Sequence, residues 1–313
     1  MIDRQDLHRK LADVQQGKAV TAVSDAAEHV PNDLAFIVGA RQRVPLDGNG
    51  ARSVTIIGET AVIGMYFTDE LAVVDLTQSP PRQVATIDLG GPQQPSRVRQ
   101  GEMHFHDASL CFQTWQSCAS CHPTQGRADG LNWDLLNDGI GNPKNTKSLL
   151  LSHQTPPVMS TGVRADAETA VRSGLRHIQF TSRPESEAKA IDAYLKQLKP
   201  VPSPYLENGQ LSESAQRGEV LFGSAGCTSC HSGAAMTNGR AFDVGTGRGS
   251  EQDTEFDTPS LIEVWRTAPY LHDGRAATIR EVLVDFNPND RHGTTSKLNQ
   301  QQIDDLQQYV LSK

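Results

Sequence analysis

A five-residue pattern, Cys-X-X-Cys-His, occurs twice in this chain of 313 residues and constrains its fold more than any other feature. The first copy reads CASCH from Cys118, and the second reads CTSCH from Cys227. Together they use four of the five cysteines, and Cys111 lies outside them. A disulfide framework does not concentrate its cysteines in this way. Each copy must therefore present two thiols and one imidazole from a single short turn.

Three chemistries use closely spaced cysteines of this kind. Zinc is disfavoured because the two cysteine pairs lie 109 residues apart, whereas pairs that share a structural zinc ion are usually separated by about 15–20 residues. A redox dithiol does not explain the histidine that follows each pair. Covalent haem c uses all three side chains, because the thiols add to porphyrin vinyl groups and the histidine reaches the iron. We therefore predict two covalently bound haems c, haem 1 on Cys118, Cys121 and His122, and haem 2 on Cys227, Cys230 and His231.

The two motifs belong to two copies of one unit. Gly101 and Phe105 before the first motif match Gly218 and Phe222 before the second. After the motifs, residues 145–162 overlay residues 257–274 without a gap at an offset of 112, and we expect this offset to continue into the closing helices. Apolar residues recur there at every third or fourth position, as in a helix. Each copy is predicted to be a small helical, cytochrome c-like domain.

The first hundred residues have a different pattern. Short β-branched runs alternate with turn residues, which predicts strands near 53–57, 61–66, 71–76 and 83–89, after a helix at 4–16. A meander of four strands resembles one blade of a β-propeller, and one blade cannot close a ring. Either the natural protein continues upstream, or this sheet packs against the haem domains. We thus predict a mainly α protein with an antiparallel β segment at 1–96 and tandem cytochrome c-like domains at 97–200 and 201–313.

Charge and hydropathy narrow the partners and the location. The formal net charge of −8 disfavours a nucleic acid as the main partner. No apolar run approaches the roughly 18 residues that a spanning helix needs, so we expect no membrane span. Haem c is attached outside the cytoplasm, which predicts a periplasmic or otherwise exported protein. The N-terminus has no apolar core of a secretory signal, so we expect a mature or truncated form of a longer precursor.

Longer stretches around the motifs resemble the bacterial di-haem cytochrome c peroxidase family, including its MauG-like branch, from about residue 97 to 313. They read FHDASLCFQTWQSCASCHP, NPKNTKSLL, CTSCHSGAAMTNGRAFDVGTG and DTPSLIEVWRTAPYLHDG. The resemblance implies that hydrogen peroxide reacts at the N-terminal haem, while a six-coordinate C-terminal haem passes on electrons from a redox partner protein. It also implies a calcium ion between the domains, bound partly by Asn145 and by backbone carbonyls near residues 257–259.

Departures from the family lie on the distal faces of the haems. Where the family has a methionine ligand of the C-terminal haem, this chain has Phe286, which cannot ligate iron. His292 follows six residues later and is our predicted sixth ligand of haem 2. His177 has a similar place in the first copy, and it is predicted to be either a distal acid or base at haem 1 or its sixth ligand. The less favoured alternatives for haem 1 are His104, His106 and His153.

Two functions stay open on the sequence alone. The first is a peroxidase-like oxidoreductase in which hydrogen peroxide reacts at haem 1 and electrons pass through haem 2; a MauG-like variant would oxidise a protein side chain instead. The alternative is a non-catalytic electron-transfer cytochrome with both haems six-coordinate. In either case the strand-rich segment could attach the haem pair to a partner. The position of His177, free of the iron or bound to it, separates the first function from the second.

Overall fold

The computed structural model describes residues 1–92, 94–134 and 143–313. The chain divides into two compact units, Met1–Gln93 and Gln94–Lys313. Its described helices are α1 (Arg4–Gln15), α2 (Arg97–His106), α3 (Cys118–Cys121), α4 (Pro123–Gly126), α5 (Ala167–His177), α6 (Glu185–Lys196), α7 (Glu213–Ser224), α8 (Ile279–Leu283) and α9 (Gln300–Leu311). Its described strands are β1 (Ala51–Ile57), β2 (Thr60–Met65), β3 (Glu70–Asp75), β4 (Arg82–Asp88), β5 (Asn132–Trp133), β6 (Lys144–Asn145), β7 (Ala241–Phe242) and β8 (Phe256–Asp257). Among these helices none is both long and apolar enough to cross a membrane.

The first unit contains a helix and a four-stranded antiparallel meander in the order β1-β2-β3-β4. Asp3 begins α1 by accepting hydrogen bonds from the backbone N–H groups of Gln5 and Asp6, which otherwise have no partner in a first helical turn. The central strands carry the buried side chains, whereas β1 is exposed along its whole length. The predicted helix and all four predicted strands are confirmed. This is the topology of one propeller blade, and a relation to a complete propeller stays a prediction.

The second unit contains two helix pairs of the same design, each around its own apolar core. In the first, α2 packs on α6 and buries Phe105 against Ile191 and Tyr194. In the second, α7 packs on α9 in the same way, with Phe222 against Tyr309. The ring centroids are 5.3 Å apart in the first pair and 5.1 Å apart in the second. The closing helix that the 3.6-residue periodicity predicts in each copy is therefore present, and it packs on a helix that precedes the Cys-X-X-Cys-His motif.

Both helix pairs cross at a glycine, Gly101 on α2 and Gly218 on α7. A Cβ atom on Gly218 would overlap the backbone carbonyl of Asp305 on α9. We expect Gly218→Ala to lower the free energy of unfolding by about 2 kcal/mol or more, since overpacking forces the two backbones apart. Gly223 on the same helix faces open space, so Gly223→Ala should instead stabilise by about 0.5–1 kcal/mol. Denaturant titrations of the two variants test this, and equal effects would contradict the close helix approach.

The closing helices correct one prediction. The offset of 112 pairs Ile191 with Ile303, but Tyr194 and Tyr309 take the same place against the first helix of each copy, which is an offset of 115. The N-terminal ends of α5 and α8 keep the offset of 112. The chain is therefore three residues longer from the start of α8 to the start of α9 than from the start of α5 to the start of α6. The sequence identity between Ile191 and Ile303 gave the wrong alignment of the closing helices. The register of a helix is set by the face that packs, and not by isolated identities.

Candidate haem-binding sites

The second Cys-X-X-Cys-His motif follows directly from α7. Gly226 has φ of 86°, a left-handed conformation that glycine adopts without strain, and it turns the chain out of the helix into a short 3-10 turn over Cys227–Ser229. The backbone N–H of His231 donates to the carbonyl of Cys227 at 2.9 Å. Both cysteines are free, so the turn presents two thiols and an imidazole together, as haem c attachment needs.

His231 and His292 face each other across the second site. Their ring centroids are 6.4 Å apart and the ring planes are inclined by 40°. Two imidazoles that share one metal ion through bonds of about 2 Å have ring centres about 6 Å apart, so this spacing fits a single iron between them. His231 Nδ1 lies 3.2 Å from the carbonyl oxygen of Met236. A bond from Nδ1–H to this oxygen leaves Nε2 free for the metal.

Burial sets the charge of these rings. Burial, and then the neighbouring His231, lower the pKa of His292 to about 4, and burial also lowers the pKa of His231. Both imidazoles are therefore neutral at pH 7, which is the form that binds metals. Asn287 holds the loop that presents His292: its Oδ1 accepts from the backbone N–H of His292 at 2.7 Å, and its Nδ2 donates to Gly293 and Thr295 at 2.8 Å.

The first motif occupies the single-turn helix α3, with His122 directly after it. Burial raises the pKa of the Cys118 thiol to about 12 and that of Cys121 to about 11. Redox dithiols have lowered thiol pKa values, so the electrostatics disfavour that chemistry. Burial lowers the pKa of His122 to about 4, and its Nδ1 is buried without a hydrogen-bond partner. The His122 ring is thus neutral and able to ligate. The described part of the chain contains no alternative metal site formed by three or more His, Cys, Asp or Glu side chains.

Exposed aromatic side chains flank the first motif. Phe112, Trp115 and Phe180 are each about 60 % exposed, at 59 %, 59 % and 60 %. The backbone N–H of Phe112 donates to the carbonyl of Gln179 at 2.9 Å, which brings the segment before the motif beside the segment after α5. Exposed apolar clusters of this kind mark ligand sites. A porphyrin is largely apolar, so these side chains fit a haem at this position.

His177, the predicted distal residue of haem 1, is the last residue of α5 and is exposed. Among the described residues no ring contact joins it to His122, in contrast to the close pair in the second copy. The offset of 115 seen in the closing helices makes His177 the counterpart of His292. The offset of 112 seen at the starts of α5 and α8 makes Phe180 the counterpart of His292 instead. Gln179 beside Cys118 and Gly293 beside Cys227 differ by 114. This offset makes Ile178 the counterpart of His292, one residue from His177.

The alternative histidines differ in their surroundings. His153 Nε2 lies 3.1 Å from the Asp192 carboxylate, and His106 Nδ1 lies 2.8 Å from the carbonyl of Glu102. Both rings are therefore engaged within the helix framework. His104 Nδ1 is buried without a partner. These contacts engage two of the three alternative histidines, and the distal role of His177 stays a prediction.

Asn145, the predicted calcium ligand, lies where the two helical domains meet. Its backbone N–H donates to His272 at 2.8 Å, and its Nδ2 donates to the carbonyl of Pro269. Its Oδ1 is buried without a partner, which fits a hard cation because calcium takes amide and carbonyl oxygens. At residues 257–259, by contrast, Lys147 Nζ lies 2.8 Å from the Asp257 carboxylate. The structure thus places the carbonyl of Pro269 beside Asn145, and the part played by residues 257–259 stays a prediction.

A buried ion pair, which the sequence analysis did not identify, links the two copies. Arg127 follows the first motif, and its guanidinium makes two hydrogen bonds of 2.9 Å to Glu263, whose side chain is 1 % exposed. Glu263 also accepts from Arg266 and from the backbone N–H of Val201, each at 2.6 Å. Arg127 further donates to the carbonyl of Lys199 at 2.8 Å. One carboxylate therefore holds the first motif, the linker and the second copy together.

Comparison with known proteins shows which class of protein has sites of this kind. The Cytochrome c family matches residues 215–313, which include the second motif and His292. Hydrazine synthase subunit gamma from Kuenenia stuttgartiensis is 28% identical over 80% of this chain and 96% of its own length. MauG from Methylorubrum extorquens is 26% identical over 61% of this chain and 69% of its own length. The chain thus contains a cytochrome c domain at residues 215–313.

A solved structure extends the likeness to the whole fold. The di-haem peroxidase BthA from Burkholderia thailandensis superposes with a TM-score of 0.54 at 16% identity, covering 85% of this chain and 94% of that one. At that identity the match shows the fold alone. The relatives of this chain also include a cytochrome-c peroxidase, IdrP2 from Pseudomonas sp. (strain SCT), which is 22% identical over 71% of this chain and 79% of its own length. The C-terminal two thirds of this chain is homologous to the bacterial di-haem cytochrome c peroxidases and to MauG.

Proposed function

We propose that this protein is a di-haem oxidoreductase that reduces hydrogen peroxide at haem 1 with electrons delivered through haem 2. The observation that carries the proposal is the asymmetry of the two copies. His231 faces His292 at 6.4 Å between ring centroids, a spacing at which both imidazoles would bind one iron. His122 faces no described ring, and His177 stands exposed at the end of α5. The second site is built to carry electrons and the first to bind a substrate.

The chain contributes attachment, orientation and proton transfer. When bound, haem c supplies a one-electron iron couple and, where one axial position is open, a place for a substrate oxygen. Cys118 and Cys121 tether haem 1, Cys227 and Cys230 tether haem 2, and His122 and His231 provide the proximal nitrogens. Reduction of hydrogen peroxide to two water molecules consumes two electrons and two protons, and a reduced redox partner protein provides the electrons. His177 is proposed to move a proton from the near to the far peroxide oxygen through its imidazole.

Spin states and a single variant test this assignment. The oxidised protein is expected to show one high-spin and one low-spin haem in its electron paramagnetic resonance spectrum. His177→Ala should slow the reaction with peroxide by about 10²–10⁴-fold, the usual contribution of a positioned acid or base. His29→Ala is the matched control, since His29 is exposed and lies in the first unit. An unchanged peroxide rate in His177→Ala would remove His177 from the mechanism.

The second candidate is an electron-transfer subunit with both haems six-coordinate. It is favoured by the relative from Kuenenia stuttgartiensis, which is named as a subunit of a larger enzyme, and by the position of His177 as the counterpart of His292. Two low-spin signals in the oxidised protein, together with failure of the reduced protein to bind carbon monoxide, would establish this function and exclude the peroxidase. The strand-rich first unit would then be the natural docking surface for the partner.

Two properties of the family complete the proposal. A calcium ion is proposed at Asn145, because its buried Oδ1 has no protein partner. A periplasmic or otherwise exported location is proposed, because haem c is attached outside the cytoplasm.

A further inference from the structure

Asp129 is an acidic residue in the loop after the first Cys-X-X-Cys-His motif, and neither the haem attachment nor the proton transfer uses it. Its Oδ1 accepts from the backbone N–H of Leu131 at 2.9 Å, and its Oδ2 accepts from the indole N–H of Trp133 at 2.8 Å. Both carboxylate oxygens are therefore held by donors from the same loop. The side chain is half-buried, so water and salt screen its charge less than that of an exposed carboxylate.

Asn238 is the counterpart of Asp129 in the second copy. The two residues differ by 109, which is also the offset between the two motifs. The Oδ1 atom of Asn238 accepts from the backbone N–H of Arg240 at 3.0 Å, so both side chains close the same turn. Asn238 Nδ2 also donates to the carbonyl of Ser229 at 3.0 Å, and Ser229 lies between the two cysteines of the second motif. In the second copy, this position therefore lies against the Cys-X-X-Cys-His turn.

The two proximal imidazoles have different electrostatic surroundings as a result. Burial lowers the pKa of His122 to about 4, and the Asp129 carboxylate is the largest of the effects that oppose this lowering. Burial, and then Asp129, raise the pKa of the Cys121 thiol to about 11. Burial also lowers the pKa of His231, but there the opposing groups are two neutral backbone carbonyls. The first copy thus has a negative charge beside its motif where the second copy has a neutral amide.

We propose that Asp129 lowers the reduction potential of haem 1. Oxidation of a haem adds one positive charge at the iron, and a fixed negative charge beside the proximal imidazole stabilises this oxidised form. Asn238 carries no net charge and has no such effect on haem 2. Haem 1 is therefore held more firmly in its oxidised form than its ligands alone would hold it. This effect needs haem attachment at both motifs but no reaction with peroxide, so it goes beyond the proposed function.

A potentiometric titration of the protein with both haems attached follows the two reduction steps without turnover. Asp129→Asn is expected to raise the potential of one haem and to leave the other unchanged, since asparagine closes the same turn in the second copy. The reciprocal variant, Asn238→Asp, is expected to lower the potential of the other haem. Shifts of opposite sign at different haems follow from a charge, whereas general damage to the two loops has no preferred sign.

Trp133→Phe is the matched control. It removes the indole donor from Asp129 but keeps the carboxylate, so it should not raise the potential that Asp129→Asn raises. An unchanged potential in Asp129→Asn, or an equal rise in Trp133→Phe, would overturn this inference while the proposed function stands. Failure of the reduced protein to bind carbon monoxide would instead overturn the proposed function and leave this inference standing. If Asn238→Asp does not take up haem, Asp129→Asn and Trp133→Phe decide.

Discussion

Replacing His292 by alanine is expected to convert haem 2 from low spin to high spin. The variant removes one of two imidazoles whose ring centroids are 6.4 Å apart. The Phe222 ring, 6.5 Å from His231, cannot ligate iron, and no other imidazole contact of His231 occurs in the described part of the chain. The electron paramagnetic resonance spectrum of the oxidised protein should therefore lose its low-spin signal. Added imidazole should restore that signal, because the small ligand fits the space that the side chain leaves.

A second variant separates ligation from general damage. His292→Met keeps a side chain that can bind iron, and methionine with histidine gives a higher reduction potential than ligation by two histidines. We expect a low-spin haem 2 with a raised potential in a redox titration. Haem 1 should keep its spin state in both variants. A low-spin signal that survives in His292→Ala would show that another residue is the sixth ligand.

Removing the Glu263 carboxylate is expected to lower the free energy of unfolding by about 3–5 kcal/mol, because it leaves Arg127 buried without its partner. Chemical denaturation of the wild type and of Glu263→Ala measures this change in the free energy of unfolding. The surface pair Lys196–Glu168, with side chains 50 % and 41 % exposed, is the control, and Glu168→Ala should cost less than about 1 kcal/mol. Replacing Arg127 and Glu263 together by methionine should cost less than Glu263→Ala alone.

The same pair predicts a pH dependence. Burial alone raises the pKa of Glu263, but hydrogen bonds from Arg127, Val201 and Arg266 outweigh it and hold the pKa below its ordinary value. A lowered carboxyl pKa stabilises the fold above the unfolded-state pKa of about 4.3, and this stabilisation is lost as the pH falls through the folded-state pKa. The difference in stability between the wild type and Glu263→Gln should therefore narrow below about pH 4. A constant difference would contradict an ionised, paired Glu263.

The residues predicted to lie opposite His122 and His231 show how much of the two sites can be predicted from the sequence. The pairing of His292 with His231 was predicted from spacing and from the loss of the family methionine at Phe286, and the geometry of the two rings supports it. The role of His177 stays a prediction. The effect of Asp129 on His122 had no sequence signal, because an aspartate in a loop is ordinary until its neighbours in the structure are known.

The sequence by itself determined the two Cys-X-X-Cys-His turns, the duplication and most helices. Covalent haem attachment needs only five consecutive residues, and helical periodicity is also local. The tertiary structure alone decided the change of offset from 112 to 115, the contact between Arg127 and Glu263 across 136 residues, and the difference between the two distal faces. These features depend on which helix faces pack and on the loop lengths between them, and no short stretch of sequence contains that information.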